Sequence, residues 1–444
     1  MQTSNRQIAA RLVRFSLPLI LSGILQQLYS WADAFIVGHV EGEIPLAAIN
    51  ITASITELLI QTIIGFTLGL SVLAAQKYGA GEAAEIKKIL TSFLLILGAA
   101  FTALSILGAI FAAPILTLMN TSPDLFCYSA EYLRIIFAGV PFLAIYNTYT
   151  AMLRAMSDSK APFYAVLISS LLNVVLDIAF VVVLRRGVAG AAIATIVSQI
   201  AMTVFIIIYS FKKYPQLRFS LGDKLLHRNV IHQGAALGFP PALQSSITSL
   251  GNIVLQKFMN GFDTHTVAAI TTAYRVDAIM VLPITNLGSA VSTMVAQSKG
   301  ANETKNIRAY MRVGICTMVI LTLFLSSLMA LFGGNLVAMF GVGPEATEIG
   351  RRFFRCIACF YLFFGLSNVF RGTLEGIGDV LCSSIIGIIA LATRIGLSYI
   401  LKPVCDNMAI PLAESLGWVV MLLLFALWVV VRRKDIGFGQ QSKQ

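Results

Sequence analysis

The chain has 444 residues, of which 57% are hydrophobic and only 12% charged, with a mean hydropathy of +0.82. A soluble protein of this length needs far more polar surface, so the composition excludes one and predicts an all-α polytopic membrane protein. The formal net charge of +11 would suggest a nucleic-acid partner in a soluble chain; here its distribution points to the lipid bilayer instead.

Met1–Gln7 is polar and no small-residue cleavage pattern follows, so the first apolar span is expected to be retained. That span, 14–37, carries an acid. Gln26, Ser30 and Asp33 share one helical face, and Val37 continues it without polarity. An ionised carboxylate facing lipid costs several kcal/mol, so Asp33 is predicted to face protein or a water-filled cavity. The next span, 47–75, holds Glu57, with Gln61 one turn on. Further apolar windows lie at 90–113, 131–153 (with Asn147), 161–184 and 189–211. Asn173 and Asp177 fall at i, i+4 in the fifth window, and Thr195 and Gln199 at i, i+4 in the sixth. The second half reads 232–258, 267–296 (with Asp277), 310–332, 351–374, 381–401 (with Arg394) and 410–431. About twelve spans are therefore expected.

With the N-terminus placed in the cytoplasm, about two thirds of the 32 Lys and Arg fall on that side, from Arg6, Arg11 and Arg14 through Lys224 and Arg228 to Arg432 and Lys443. The bias predicts a plasma-membrane protein with both termini cytoplasmic.

The two halves match at an offset of 221 residues. Gln76 with Gly79 aligns with Gln297 and Gly300, Arg134 with Arg355, Asn147 with Asn368, and Asp158 with Asp379. Two six-span bundles are predicted, 1–220 and 221–444, as a parallel repeat about an axis normal to the membrane. Gly79 and Gly300 read as C-terminal caps of long helices. The repeat fails at the polar positions. Asn173 and Asp177 face Arg394 and Ser398 across the offset, and Asp33 has no acidic counterpart.

Two carboxylates in one low-dielectric pocket cannot both ionise cheaply. They call for a shared proton or a bound cation, and oxygens from Asn173, Asn147 and Thr195 suit sodium. Glu57, Gln61, Tyr29, Asp277 and Arg394 are candidates to line a substrate cavity, with Asp277 equally placed to neutralise Arg275 or Arg394. No nucleophile–base constellation is present, and the four histidines lie at loops or span ends, so no enzyme, cofactor or resident metal beyond sodium is expected. Cys356-x-x-Cys359 lies in an apolar segment and reads as helix packing.

Tyr29-x-x-x-Asp33-x-x-x-Val37-Gly38, Leu46-Ala47-Ala48, Gln76-x-x-Gly79-Ala80 and Asn173-x-x-x-Asp177 together resemble the multidrug and toxic compound extrusion (MATE) family. The DNA-damage-inducible (DinF-like) prokaryotic branch is the nearest likeness, because the embedded acids lie in the first half. The resemblance implies a twelve-helix, two-lobe antiporter that expels lipophilic organic cations in exchange for sodium or protons; a monomer is expected because two lobes already enclose one pathway. It assigns Asp33, Asn173, Asp177 and Thr195 to a cation site in the first lobe, with Asn147 matching less closely. Its acid-based seventh-span mechanism finds only Gln256 and Lys257 here. The alternative is a lipid-linked saccharide flippase of the same superfamily, for which Arg275 and Arg394 would be the relevant groups.

Overall fold

The computed structural model describes residues 5–219 and 225–437, and among these every regular element is helical. The 220/221 boundary, with Lys224 and Lys443, lies outside the described residues. The first half comprises α1 (Asn5–Val40), α2 (Glu43–Gly79), α3 (Ala83–Leu118), α4 (Pro123–Ala155), α5 (Lys160–Asp177) and α6 (Gly187–Lys213). The second comprises α7 (Arg228–Met259), α8 (Thr264–Met280), α9 (Leu282–Gly300), α10 (Thr304–Ala338), α11 (Pro344–Ala358), α12 (Tyr361–Ile377), α13 (Val380–Cys405) and α14 (Ala409–Val431).

Among the described residues, length and hydropathy alone pass nine stretches as spans, or ten with α11 and α12 taken as one span bent by 49°. The stretch Val380–Val431 is one of the nine, yet its 52 residues would reach about 78 Å as one helix, more than twice a hydrocarbon layer. The 3-10 turn Asp406–Met408 divides it into α13 and α14. Helix α7 is less apolar, with Pro240 and Pro241 inside, but its 32 residues are ample for a crossing. Each of the twelve expected windows thus has its helical span.

The repeat is written into the backbone. Left-handed φ values recur at the same offset: Asn120 (53°) with Gly341 (75°), Ser157 (63°) with Gly378 (98°), and Arg185 (49°) with Asp406 (48°). At the α4–α5 corner Ser157 tolerates a conformation that the second half assigns to glycine, which has no Cβ to clash. Side-chain bonds repeat too. Ser105 Oγ donates to the Phe137 carbonyl and Ser326 Oγ to the Ala358 carbonyl, both at 2.6 Å. Asn147 Nδ2 donates to the Leu143 carbonyl and Asn368 Nδ2 to the Phe364 carbonyl, both at 2.8 Å.

Packing divides the chain into two compact units, one of Leu21–Tyr78 and Glu82–Ala242, the other of Met1–Ile20, Gly79–Gly81 and Leu243–Gln444. Helices α1 and α7 each change unit part-way, close to Pro18 and to Pro240–Pro241 respectively. Ile8, Leu12, Phe15 and Leu19 of α1 are buried in the core of the second unit. The start of α7 packs on α2 in the first unit, where Gly65 and Gly69 let the Pro241 and Leu237 backbones approach. Gly79 corrects an expectation. It ends α2, but the left-handed residue after that helix is Gly81 (φ 75°). A Cβ on Gly79 would lie 1.9 Å from the Gln297 carbonyl oxygen, so this glycine serves close helix packing.

One acid fastens the α4–α5 corner, and another the equivalent α12–α13 corner. Asp158 accepts from Lys213 Nζ at 2.9 Å, Tyr214 OH at 2.8 Å, Tyr209 OH at 3.0 Å and the Ala161 N–H at 3.2 Å. Its counterpart Asp379 accepts from Trp428 Nε1 and Arg432 Nε, both at 2.7 Å. Burial alone would push the Asp158 carboxyl up, but the donors Lys213 and Tyr214 hold it below its usual value. A carboxylate depressed in the folded state stabilises it above the unfolded pKa and loses that contribution as pH falls through the folded one. The melting temperature of Asp158→Asn should therefore fall below wild type at neutral pH, with the gap narrowing below about pH 4. Thermal melting of detergent-purified protein across pH reads this, and a pH-independent gap would refute the assignment.

Candidate functional site

The site in the first unit is assembled by three helices. Val37 of α1, Val181 beyond α5 and Ala191 of α6 pack in one apolar cluster. One turn back along α1 and α5, and one turn forward along the antiparallel α6, stand Asp33, Asp177 and Thr195. Asn173 lies one turn further along the Asp177 face. Asp33 and Asp177 act on one another electrostatically, and Tyr29 and Tyr132 both feel the two acids. Asp177 is fully buried and Asn173 is 2% exposed.

Asp177 ends the α-helical ladder. Ile178–Val183 continues it as a π-helical turn, with the Leu184 N–H bonding the Ala179 carbonyl at 2.9 Å. The wider winding changes the direction in which successive side chains project, and such turns are common at functional sites.

Polar atoms here are buried without hydrogen-bond partners: both Asp177 oxygens, both amide atoms of Asn173 and Oδ1 of Asp33. Buried polar groups are nearly always satisfied, so this cluster needs an occupant. Four of the five are oxygens, the donor type a hard cation takes, and a proton on either acid would serve as well. Thr195 Oγ1 donates to the Ala191 carbonyl at 3.0 Å, which leaves its lone pairs free to accept. The residues fit a shared proton or a sodium ion.

The remaining candidates lie elsewhere. Asn147 bonds within its own helix and sits about 22 Å of helix beyond Tyr132, away from the Asp33 layer. Glu57 is exposed on α2, with Gln61 half-buried one turn on. In the second unit Asp277 accepts a hydrogen bond from Tyr361 OH, not from a basic side chain, and Arg275 is exposed. Arg394 pairs with Glu414 at 3.1 Å and with Tyr274 OH at 2.9 Å. Sequence reasoning missed Glu414, Tyr132 and Tyr361. Glu414 could have been found as an acid inside the last apolar window.

A family model, MatE, matches residues 18–179 and again residues 240–400. The chain belongs to the MatE family. The double match is the internal repeat seen from outside, since the two matched segments start and end at nearly the same offset as the paired corners. Among relatives, a Bacillus subtilis protein described as probable multidrug resistance protein YoeA is 31% identical over 85% of this chain and 83% of its own length. A second from that organism, described as probable multidrug resistance protein YpnP, is 28% identical over 86% of each. A solved structure of MATE in complex with MaL6 superposes with a TM-score of 0.90, covering 97% of both chains at 22% identity, and shares the fold. The protein is a multi-pass membrane transporter, not an enzyme.

The unpaired acids give a stability prediction. Two ionised carboxylates without partners repel and lack solvation, so replacing one by its neutral isostere should relieve the fold. Asp177→Asn should melt no lower than wild type in sodium-free alkaline buffer, where both acids are ionised and no coupling ion is present to pair with them. A loss of several degrees there would show that Asp177 has a stabilising partner and would sink the reading.

Proposed function

We propose that this transporter is a multidrug efflux antiporter, in which lipophilic organic cations leave as protons or sodium ions enter through the Asp33–Asp177 site. The observation that carries the reading is the pair of buried carboxylates with unsatisfied oxygens beside Asn173, on helices that belong to one unit. A bound proton or cation cancels their repulsion and lets α1, α5 and α6 pack closely; its release restores the repulsion and loosens them. The ion thus biases a two-state equilibrium by its differential affinity. Antiport follows if the organic cation favours the ion-free state. Pro18 lets α1 flex, because proline removes a backbone donor from the helical ladder. The moving lobes are 1–220 and 221–444, with both termini cytoplasmic in the plasma membrane and one chain enclosing one pathway. Glu57, Gln61 and Tyr29 would line that pathway, where exposed acid favours cationic cargo, while Asn147 stays outside the ion's immediate ligands.

Lipid-linked saccharide export is the weaker reading. It requires basic groups free to meet a pyrophosphate, and Arg394 is engaged by Glu414.

Purified protein in liposomes loaded with ethidium tests the proposal, with sodium and proton gradients imposed separately. Wild type should drive the dye in the opposite direction to one of these ions as that ion flows down its gradient, and the effective gradient names the ion. Asp177→Asn should lose at least tenfold in gradient-driven flux. Undiminished flux in that variant would remove the coupling assignment.

A further inference from the structure

The second unit holds buried acids that the proposed coupling does not use. Asp277 and Glu414 are 6% and 7% exposed, on α8 and α14. Arg394 of α13 binds Glu414 and Tyr274 OH, and its guanidinium also lies over the Tyr274 ring at 5.6 Å. Tyr361 OH donates to Asp277. Among the described residues, Glu414, Arg394 and Tyr361 are the charged and titratable groups acting on Asp277; on the same helix Tyr274 faces Arg394 and Glu414. Helix α11 contributes Phe353, edge-on to Tyr274 at 5.4 Å, while its Arg355 is exposed. Trp418 closes the far side, stacked on Tyr361 at 5.9 Å.

The charge arithmetic does not close. Two carboxylates stand in this cluster with one guanidinium, and that guanidinium is bonded to Glu414, so with both acids ionised the cluster carries a net negative charge in an apolar interior, which is costly unless a proton or cation neutralises it. Tyr361 offers Asp277 a hydrogen bond but no charge.

The backbone singles out the same place. In the first half, α2 and α4 are continuous helices. The repeat of α2 runs through Val281 as one span, with the Val281 N–H bonding the Asp277 carbonyl at 2.9 Å, whereas the repeat of α4 is broken: the 49° bend between α11 and α12 falls immediately before Tyr361, the donor to Asp277. Discontinuous membrane helices mark ion and substrate sites, because the break frees backbone groups and re-aims side chains.

We propose that Asp277, held by Tyr361 beside the Arg394–Glu414 pair, is a second proton-binding site that takes up and releases one proton independently of Asp33 and Asp177. The proton bonds to a carboxylate oxygen of Asp277, comes from water, and returns there as the cluster reverts to net negative charge. Arg394, Glu414 and the bend before Tyr361 have no counterparts at the matching positions of the first half, where Asn173, Ile193 and a continuous α4 stand, so the site belongs to the second half alone.

Infrared spectroscopy of the full-length protein in lipid films tests this in an Asp33→Asn/Asp177→Asn background, which silences the first site. The band of protonated carboxyl groups, identified by its shift in D2O, is followed through a pH titration. The background protein should lose one protonated carboxyl on alkalinisation, and adding Asp277→Asn should remove that transition. Two conservative variants should move it in opposite directions. Tyr361→Phe deletes a donor to the ionised form, so the band should persist to higher pH. Glu414→Gln deletes the like charge and leaves Arg394 facing Asp277, so the band should vanish about a pH unit or more lower. A structural role would produce neither displacement. A transition unchanged by Asp277→Asn, or unmoved by both other variants, overturns the proposal. The readout is protonation, not flux, so its failure leaves the coupling role of Asp33 and Asp177 untouched.

Discussion

An ionised side chain in hydrocarbon must find a proton, a counter-ion or water, and the polar architecture of this protein follows from that demand. The two halves share a backbone plan and meet it differently. In the first, Asp33 and Asp177 oppose one another beside Asn173, with oxygens left unsatisfied. In the second, Arg394 supplies a permanent cation to Glu414. Breaking a buried ion pair by removing one partner costs about 3–5 kcal/mol, a large share of the roughly 5–15 kcal/mol that holds a typical protein folded. The Arg394–Glu414 pair is therefore a fixed element. The Asp33–Asp177 pair has no such bond to lose, and its state depends on what binds.

Backbone irregularity tracks the acids in both halves, at different positions. The first half spends its irregularity on the π-helical turn after Asp177. The second keeps its equivalent span α-helical through Ser398 and instead bends another span immediately before Tyr361, the donor to Asp277. The corners tell the opposite story. Left-handed residues, serine-to-carbonyl bonds and the Asp158 and Asp379 clusters recur at one offset. Corners of a helical bundle are over-determined: changing one moves two helices. A mid-span break moves only the residues around it, so the middle of each bundle was free to diverge.

Legibility in the sequence divides along the same line. Spans are written in runs of apolar residues, and all twelve were visible. The repeat was visible because corner residues sit at fixed spacing. Asn173 and Asp177 declared themselves by sharing a helical face, and Asp33 by being an acid in a twenty-residue apolar run. What stayed hidden depends on contacts across helices or on backbone winding. Glu414 is visible as an acid inside the last apolar window, but nothing local says that Arg394 will meet it. Asp277 has the charge to neutralise Arg394, but it is bonded instead by a tyrosine eighty-four residues away. The π-helical turn falls in Ile178–Val183, a β-branched run that any span could contain. Gly79 looked like a cap because it ends a helix; its role is set by a carbonyl on α9.

Duplication followed by such divergence yields a particular kind of machine. Two copies of a bundle with identical charges would respond identically to pH and ion concentration, and neither gradient could favour one bundle's movement over the other's. Placing uncompensated acids in one half and an acid pair clamped by arginine in the other makes the halves electrostatically unequal while their scaffolds stay alike. An ion then acts on one half preferentially, and a free-energy difference between conformations arises from binding alone. The arginine is what secures the inequality. It occupies the position that the repeat assigns to Asn173, so the second half cannot build a copy of the first half's site, and whatever its acids bind, they bind on different terms.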